Sequence, residues 1–425
     1  MQSFLIYVII KLNPLKIYFL ADIKLRNLLN IKKPTNQKGI LTMLKKFCTV
    51  ILTILLTISL TSCKNDEDTS SQTSEVNDGD NQITNQKIGF IYNNGVDENI
   101  INTQIEEIRK SLNNDNVQTV YIENVSAGQL EKAIKTLEED GCTSIVSTSS
   151  KFSKILNEVA PKYPKIKFLN MGGTKTSDNI SAFKPKNYQA AYIAGVAAAY
   201  NTKSEKFAII TEPHMYNSLA DINAFALGTQ LILENGQTRV YYATSKEESQ
   251  KAVDAAINDG CDIIFAYQNT ENAYNYAKTK NIKLIGGEIS DQSIDKNKTI
   301  ISFKTNWSEY FKAQADKLVH NQWTAQNYYG SINLSNVIIS DVYENSADKT
   351  KDIVEKIKSY VLNGQAPIFQ GEIKDNNDTI AVFKDVVLTE SQIESISWVA
   401  KGVIGAGNFT EINSTDIQTD FEIKS

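Results

Sequence analysis

The chain is poor in the residues that usually do chemistry. Of 425 residues, two are histidine and four are cysteine. His214 and His320 leave little for histidine-based acid–base work. No His/Cys group has metal-ligand spacing, so no metal is expected. A Gly-x-Ser-x-Gly elbow is missing, which removes the usual sign of a hydrolase serine. Walker-type and Gly-rich phosphate loops are missing too, and the paired glycines Gly172-Gly173 and Gly286-Gly287 read as turns after strands. There is no basic excess: 44 Lys and Arg stand against 49 Asp and Glu, a net charge of −5. A protein that tracks nucleic-acid phosphates needs a basic face, so no nucleic acid is expected as partner. No cofactor is implied, and an enzyme is the least favoured class.

What is present is duplication. Lys87-Ile88-Gly89-Phe90-Ile91 returns as Lys206-Phe207-Ala208-Ile209-Ile210. Gln118-Thr119 returns as Gln237-Thr238, Ser126 as Ser245, Lys132-Ala133-Ile134 as Lys251-Ala252-Val253, and Asp140-Gly141-Cys142 as Asp259-Gly260-Cys261. The offset is 119 residues throughout, from Lys87 to Lys206 and from Asp140 to Asp259. A constant offset over so long a stretch implies two copies of one α/β unit, far longer than a solenoid repeat. Two lobes that face each other make a cleft, where small molecules bind. Apolar content of 41% and charge of 22% are ordinary for a globular protein, and the length allows two or three domains.

The cysteines sort by position. Cys142 and Cys261 occupy equivalent points of the two copies, each before a strand, and read as inert buried thiols. Cys63 ends a different signal. Met43-Leu44-Lys45-Lys46 is a short positive start, Phe47 to Ile58 is an apolar core too short to span a membrane, and Leu60-Thr61-Ser62-Cys63 resembles a bacterial lipobox. Residues 43–62 are thus read as a lipoprotein signal peptide with Cys63 as the acylated first mature residue, moored to the lipid bilayer on the extracytoplasmic side. A non-lipidated signal peptide or an anchor helix is the alternative. Residues 1–42 are read as lying upstream of the true start at Met43. Residues 63–85 are acidic and without aromatics, the composition of a disordered tether.

From Lys87 strand and helix patterns alternate. Strands are predicted over Ile88–Tyr92, Val117–Ile122, Ile145–Val146 and Ile166–Leu169, with helices over Ile100–Leu112, Leu130–Leu137 and Phe152–Ala160. The second copy repeats this to Ile285. Such alternation means parallel sheets covered by helices on both faces. Ile300–Phe303 is read as a strand returning the chain to the first lobe, Trp307–Val319 and Ile353–Leu362 as helices, Phe369–Ile373 and Ile380–Phe383 as short strands, and Ile393–Val399 as a last helix. Lobe 1 is expected over 86–187, completed by about 300–335; lobe 2 over 188–299, completed by about 336–425. Several crossings between lobes would make a multi-strand hinge.

Markers along 86–410 resemble the basic membrane protein family of ABC-transporter solute-binding lipoproteins, which are similar to purine nucleoside receptors. They are Ala160 to Phe168 for "A-x-x-Y-P-x-x-K-F", the block Tyr188 to Ala198, Ile222 to Gly228, Asp259 to Ile264 for "G-A-D-V-I", Trp307 to Phe311 for "W-x-x-Y-Y", and Trp398 with Gly402, Val403 and Gly405. The resemblance implies a type I periplasmic-binding fold: α/β, two Rossmann-like lobes with parallel sheets, joined by a multi-strand hinge. It implies a small polar, nucleoside-like solute, purine favoured, an ABC permease as membrane partner, and a monomer. The family's Asp-x-x-aromatic-Asn segment falls on Asp97-Glu98-Asn99-Ile100-Ile101, where Ile100 stands in place of the stacking ring. Its Gly-x-Asp ribose contact falls on Gly286 to Gln292, where Glu288 and Asp291 are the acidic candidates; its lysine could be Lys304.

In open parallel sheets ligands sit beyond the carboxyl ends of the strands. The candidate ligand residues are therefore Asn93, Asp97, Phe152, Phe225, Gln268, Glu288, Asp291 and Trp307. Each has a plainer reading: Asn93 and Asp97 as turn formers, Phe152 and Phe225 as core rings, Trp307 as hinge packing. Two rivals to solute capture for transport stand beside it, an anchored ligand sensor of the same fold and a surface adhesin with a non-binding cleft.

Overall fold

The computed structural model describes residues 83–173, 175–213, 218–406 and 421–425. Cys63, the signal segment and the tether lie outside them. The first copy lays down β1 (Gln86–Ile91), α1 (Ile100–Leu112), β2 (Val117–Ile122), α2 (Leu130–Glu139), β3 (Ser144–Ser147), α3 (Ser153–Val159), β4 (Lys167–Met171) and β5 (Ile180–Pro185). After α4 (Asn187–Ala199) the series returns as β6 (Lys206–Thr211), α5 (Ser218–Ile232), β7 (Gln237–Tyr242), α6 (Lys246–Asn258), β8 (Ile263–Tyr267), α7 (Glu271–Ala277), β9 (Lys283–Gly287) and β10 (Thr299–Thr305). The remainder is α8 (Ser308–Val319), β11 (Asn327–Gly330), β12 (Val337–Ile339), α9 (Thr350–Leu362), β13 (Ile373–Lys374), β14 (Ile380–Val382), α10 (Glu390–Glu394) and β15 (Val403–Ile404).

The strands form two sheets of like order, β11-β5-β4-β3-β1-β2 and β12-β10-β9-β8-β6-β7-β15. The duplication extends to register. Lys87 pairs with Gln118 as Lys206 pairs with Gln237, and Ile88 with Ser144 as Phe207 with Ile263. Both core pairings are parallel, and β1, β3, β6 and β8 are almost wholly buried, as strands covered by helices on both faces must be. In lobe 1, α1 and α8 cover one face and α2 and α3 the other, giving two apolar clusters on either side of the sheet. Helix α1 shows why: Ile101, Ile105, Ile108 and Leu112 fall on one stripe and are buried, while the Asn99 side chain caps its first turn.

Three expectations are corrected and one unread strand is added. Ile300–Phe303 is part of β10, which pairs with β9 and β12 in the second sheet; the chain returns to lobe 1 after Thr305, not at Ile300. The crossing strand β5, followed by α4, completes the first sheet before the chain enters lobe 2, a strand the repeat does not announce. The last helix spans Glu390–Glu394 rather than Ile393–Val399, because Thr389 and Gln392 form a capping box that starts it earlier. Finally, residues 421–425 do not complete lobe 2: Lys424 bridges to Tyr121 at the edge of lobe 1. The chain crosses between lobes near 185–187, 305–308 and 330–337, and those strands are laced together: Lys186 N donates to Gly330 O at 2.6 Å and Asn306 N to Asn336 O at 2.9 Å.

Candidate ligand cleft

Each sheet reverses its strand order between its first and third strands, so a crevice opens there at the carboxyl ends. In lobe 1 this crevice is lined by Asn93 after β1, by Thr148, Ser149, Ser150 and Lys151 after β3, by Met171 ending β4, and by Asn99, Ile101 and Asn102 at the start of α1. Asn269, after β8, closes it from lobe 2. The cavity volume is about 30 Å³, room for a water rather than a drug-sized solute, within about 370 Å³ of empty space that includes open solvent. None of these lining residues is aromatic.

The lining loops are held by their own polar groups. Asn102 Nδ2 donates to Gly95 O at 3.1 Å, Asn102 N donates to Asn99 Oδ1 at 2.9 Å, and Thr148 Oγ1 donates to Ile91 O at 3.0 Å. Across the crevice, Lys151 Nζ lies 3.0 Å from Glu212 Oε1, and within lobe 2 Asn269 Nδ2 donates to Glu212 Oε2 at 2.7 Å. Lobes 1 and 2 are thus joined at the strand ends by one carboxylate.

Lobe 2 carries unusual backbone at this face. Gln268, Asn269 and Glu288 have φ of 47°, 54° and 58°. Non-glycine residues in that left-handed region are uncommon and gather at functional sites. Behind them runs a buried polar network. Glu288 Oε2 accepts from Thr305 N at 3.1 Å and Thr305 Oγ1 at 3.3 Å. Asn187 Nδ2 donates to Tyr267 Oη at 3.1 Å and reaches Glu288 Oε1 at 3.5 Å, and Tyr267 Oη donates to Asp221 Oδ2 at 2.6 Å. Burial pushes the Glu288 carboxyl up to about 7. Burial likewise holds Asp221 well above its ordinary range, with the Glu288 charge adding to the rise. Both amide atoms of Gln268, Asn187 Oδ1 and Asp221 Oδ1 are buried without a hydrogen-bond partner. Buried polar atoms left open in this way call for water or ligand.

The candidate residues therefore separate. Asn93 lines the crevice, and Gln268 and Glu288 stand at adjacent strand ends of lobe 2, Gln268 N donating to Gly287 O at 3.2 Å. Asp97 is exposed in the turn before α1, and Asp291 is an exposed partner of Lys304. Phe152 is fully buried in the lobe 1 cluster. Phe225 is fully buried in lobe 2, stacked on Phe265 at 5.1 Å. Trp307 is 2% exposed and packs edge-on against Phe183 at 5.0 Å. Phe152 and Trp307 sit where a strand end meets a covering helix, and Phe225 lies midway along α5; all three rings are buried in cores. Cys142 and Cys261 are free and buried, and desolvation pushes their thiols up to about 12 and about 11. Sequence reasoning passed over Lys151, Glu212 and Asn269. All three follow strand ends, so the strand-end rule itself was the available signal. Asn187, Asp221 and Thr305 had none, since they converge only through the crossings.

Duplicated parallel sheets, three crossings and a polar crevice at the strand ends define a type I periplasmic-binding fold, the class of ABC solute-binding proteins. Solved structures agree: a solute-binding protein from Aeropyrum pernix K1 has a TM-score of 0.57 at 13% identity, covering 73% of this chain and 96% of that one. One from Conexibacter woesei has a TM-score of 0.54 at 14% identity, covering 66% and 97%. The family model "ABC transporter substrate-binding protein PnrA-like" matches residues 85–368. The chain belongs to that family, Bmp, whose members bind small solutes and deliver them to ABC permeases. A purine-binding protein of Brucella abortus (strain 2308) is 28% identical over 295 residues, 68% of this chain and 84% of that protein.

Proposed function

We propose that this chain captures a nucleoside or nucleobase, purine favoured, outside the cytoplasm and hands it to an ABC permease. The observation that carries the reading is the crevice at the strand ends, with its amide-rich walls, in a chain related to a purine-binding protein. Asn93, Asn99, Asn102 and Asn269 offer paired donors and acceptors of the kind a purine edge presents. Ile101 and Met171 supply apolar contact where Ile100 leaves no ring. Gln268 and Glu288 add hydrogen-bonding capacity from lobe 2. Capture works by closure: contacts divided between lobes favour the closed state by their differential affinity.

A thermal-shift screen against adenosine, guanosine, inosine and their bases tests this. Ligand at one hundred times its dissociation constant adds about 2.7 kcal/mol of stability. No shift with any of them removes the purine assignment.

Membrane attachment through acylated Cys63, with the folded head acting as a monomer, belongs to the same reading. It rests on the lipobox-like Leu60 to Cys63 and the tether behind it. Labelling of cells with an alkyne fatty acid should mark the protein, and Cys63→Ala should abolish the mark.

A further inference from the structure

Residues 421–425 are held at a distinctive place. Among the described residues, strand β2 is the outer strand of the first sheet and its outer edge meets no other named strand. Lys424 pairs with it: Tyr121 N donates to Lys424 O at 2.7 Å and Lys424 N donates to Tyr121 O at 2.9 Å. Just before Lys424, Phe421 and Ile423 pack against the lobe 1 core cluster, and Lys132 Nζ lies 5.8 Å above the Phe421 ring. Covering an edge strand would explain this much by itself.

The Lys424 side chain does more. Its ammonium pairs with Glu123 Oε1 at the carboxyl end of β2. The other oxygen of that carboxylate, Oε2, accepts from Val96 N at 3.1 Å. Val96 lies in the middle of the loop between β1 and α1, whose two ends, Asn93 and Asn99, line the crevice. The next residue, Asn124, donates its N–H to Asn94 O at 3.4 Å, so two successive residues after β2 grip this loop. Lys424, foremost, and then the Val96 amide hold the Glu123 carboxyl below its usual range, as one charge shared between two donors should be.

We propose that the C-terminal residues 421–425 are a positioning element of the solute site, in which Lys424 orients Glu123 so that it fixes the Asn93–Asn99 loop. This rests on the reading of the crevice as the solute site. The apolar anchors matter to it: an exposed lysine alone loses much of its attraction to side-chain entropy, whereas Lys424 is already immobilised by the pairing and by Phe421 and Ile423. A loop held in its binding geometry before ligand arrives binds more tightly.

The test compares the full chain with Lys424→Met and Lys424→Arg. Both keep the backbone pairing and the apolar anchors, so neither removes the edge strand; Arg restores the charge. Amide hydrogen exchange is read on the peptide covering 93–99, with a peptide covering β3 as internal control. Lys424→Met should exchange faster over 93–99, by up to about fivefold, with β3 unchanged and Lys424→Arg near wild type, the range expected for loss of a partly exposed ion pair. Binding of whichever purine nucleoside the wild type takes up should weaken by about the same factor. Unchanged exchange over 93–99 overturns the proposal whatever binds. Faster exchange with unchanged affinity overturns it too, leaving the tail as edge cover. If the wild type binds no nucleoside, the purine reading fails separately, and the exchange result alone decides whether the tail sets the loop.

Discussion

Glu288 is the residue whose environment makes the sharpest demand. Its carboxyl is 1% exposed, in a strained backbone position, with Asp221 in the same network and Lys304 as the nearby cation. In the unfolded chain it titrates near 4.5; folded, burial raises it to about 7. Between those values the unfolded chain has lost a proton that the folded chain keeps. The stability due to neutral Glu288 is therefore full below about 4.5 and lost as pH rises through about 7. The shift corresponds to on the order of 3 kcal/mol. Glu288→Gln removes the ionisation, so urea unfolding at pH 5 and pH 8 should show a smaller loss of stability in the variant than in the wild type. Parallel losses would show that the carboxyl titrates normally. Asp221, raised by the same burial, adds to the trend and keeps the variant from becoming wholly flat.

The rings argue the opposite way at this scale. Phe225 is a candidate as a replacement for the stacking ring missing at Ile100, but it stacks on Phe265 and meets Phe207 edge-on at 6.0 Å. Phe225→Ala should cost about 3–5 kcal/mol of stability, the usual result for a buried ring, measured by urea unfolding. A variant of unchanged stability but lost ligand binding would return Phe225 to the site. From sequence, a phenylalanine within helical apolar spacing reads as core first and as ligand shelf second; packing decides, and packing is not a property of one residue.

At the scale of elements, helices α4 and α5 show what apolar periodicity hides. Both are apolar nearly all round, so neither shows which face meets the other. Two glycines settle it. A Cβ on Gly195 would collide with the Phe225 carbonyl oxygen, and one on Gly228 with the Tyr192 carbonyl oxygen, so the helices cross backbone to backbone. Alanine is the better helix former by about 1 kcal/mol. Gly195→Ala should nevertheless destabilise, by about 1–3 kcal/mol, because carbonyls cannot rotate aside and the helices must separate. A gain in the urea midpoint would mean that the two do not touch. The elements of the repeat itself were open to reading, because a constant offset needs only pairwise likeness: α1 was placed to the residue, and the matched registers of β1–β2 and β6–β7 follow from it. Strand β5 and the sheet to which β10 belongs were not, since both sit where the copies diverge and each has an outer partner, β11 or β12, that the chain supplies only after a crossing.

At the scale of the whole molecule, the question is what holds the lobes together before a solute arrives. On the closure proposed above, the lobes hinge at the three crossings among the described residues and the crevice opens between them. Lys151 and Glu212 bridge it, with side chains 45% and 16% exposed. So exposed a pair contributes about 0.2–1 kcal/mol, which multiplies the population of the bridged form by about fivefold at most. A ligand that contacts both lobes can contribute far more, so the pair biases closure without enforcing it. Glu212→Gln should then expand the ligand-free protein in small-angle scattering, while saturating ligand brings wild type and variant to the same curve. Affinity should fall by no more than about fivefold, since the only change is the fraction of molecules ready to bind. Raised salt should expand the wild type as the substitution does, by screening the same pair. If wild type and variant scatter alike at every salt concentration, the Glu212 bridge has no part in setting the gap, and closure must be driven by solute contacts alone.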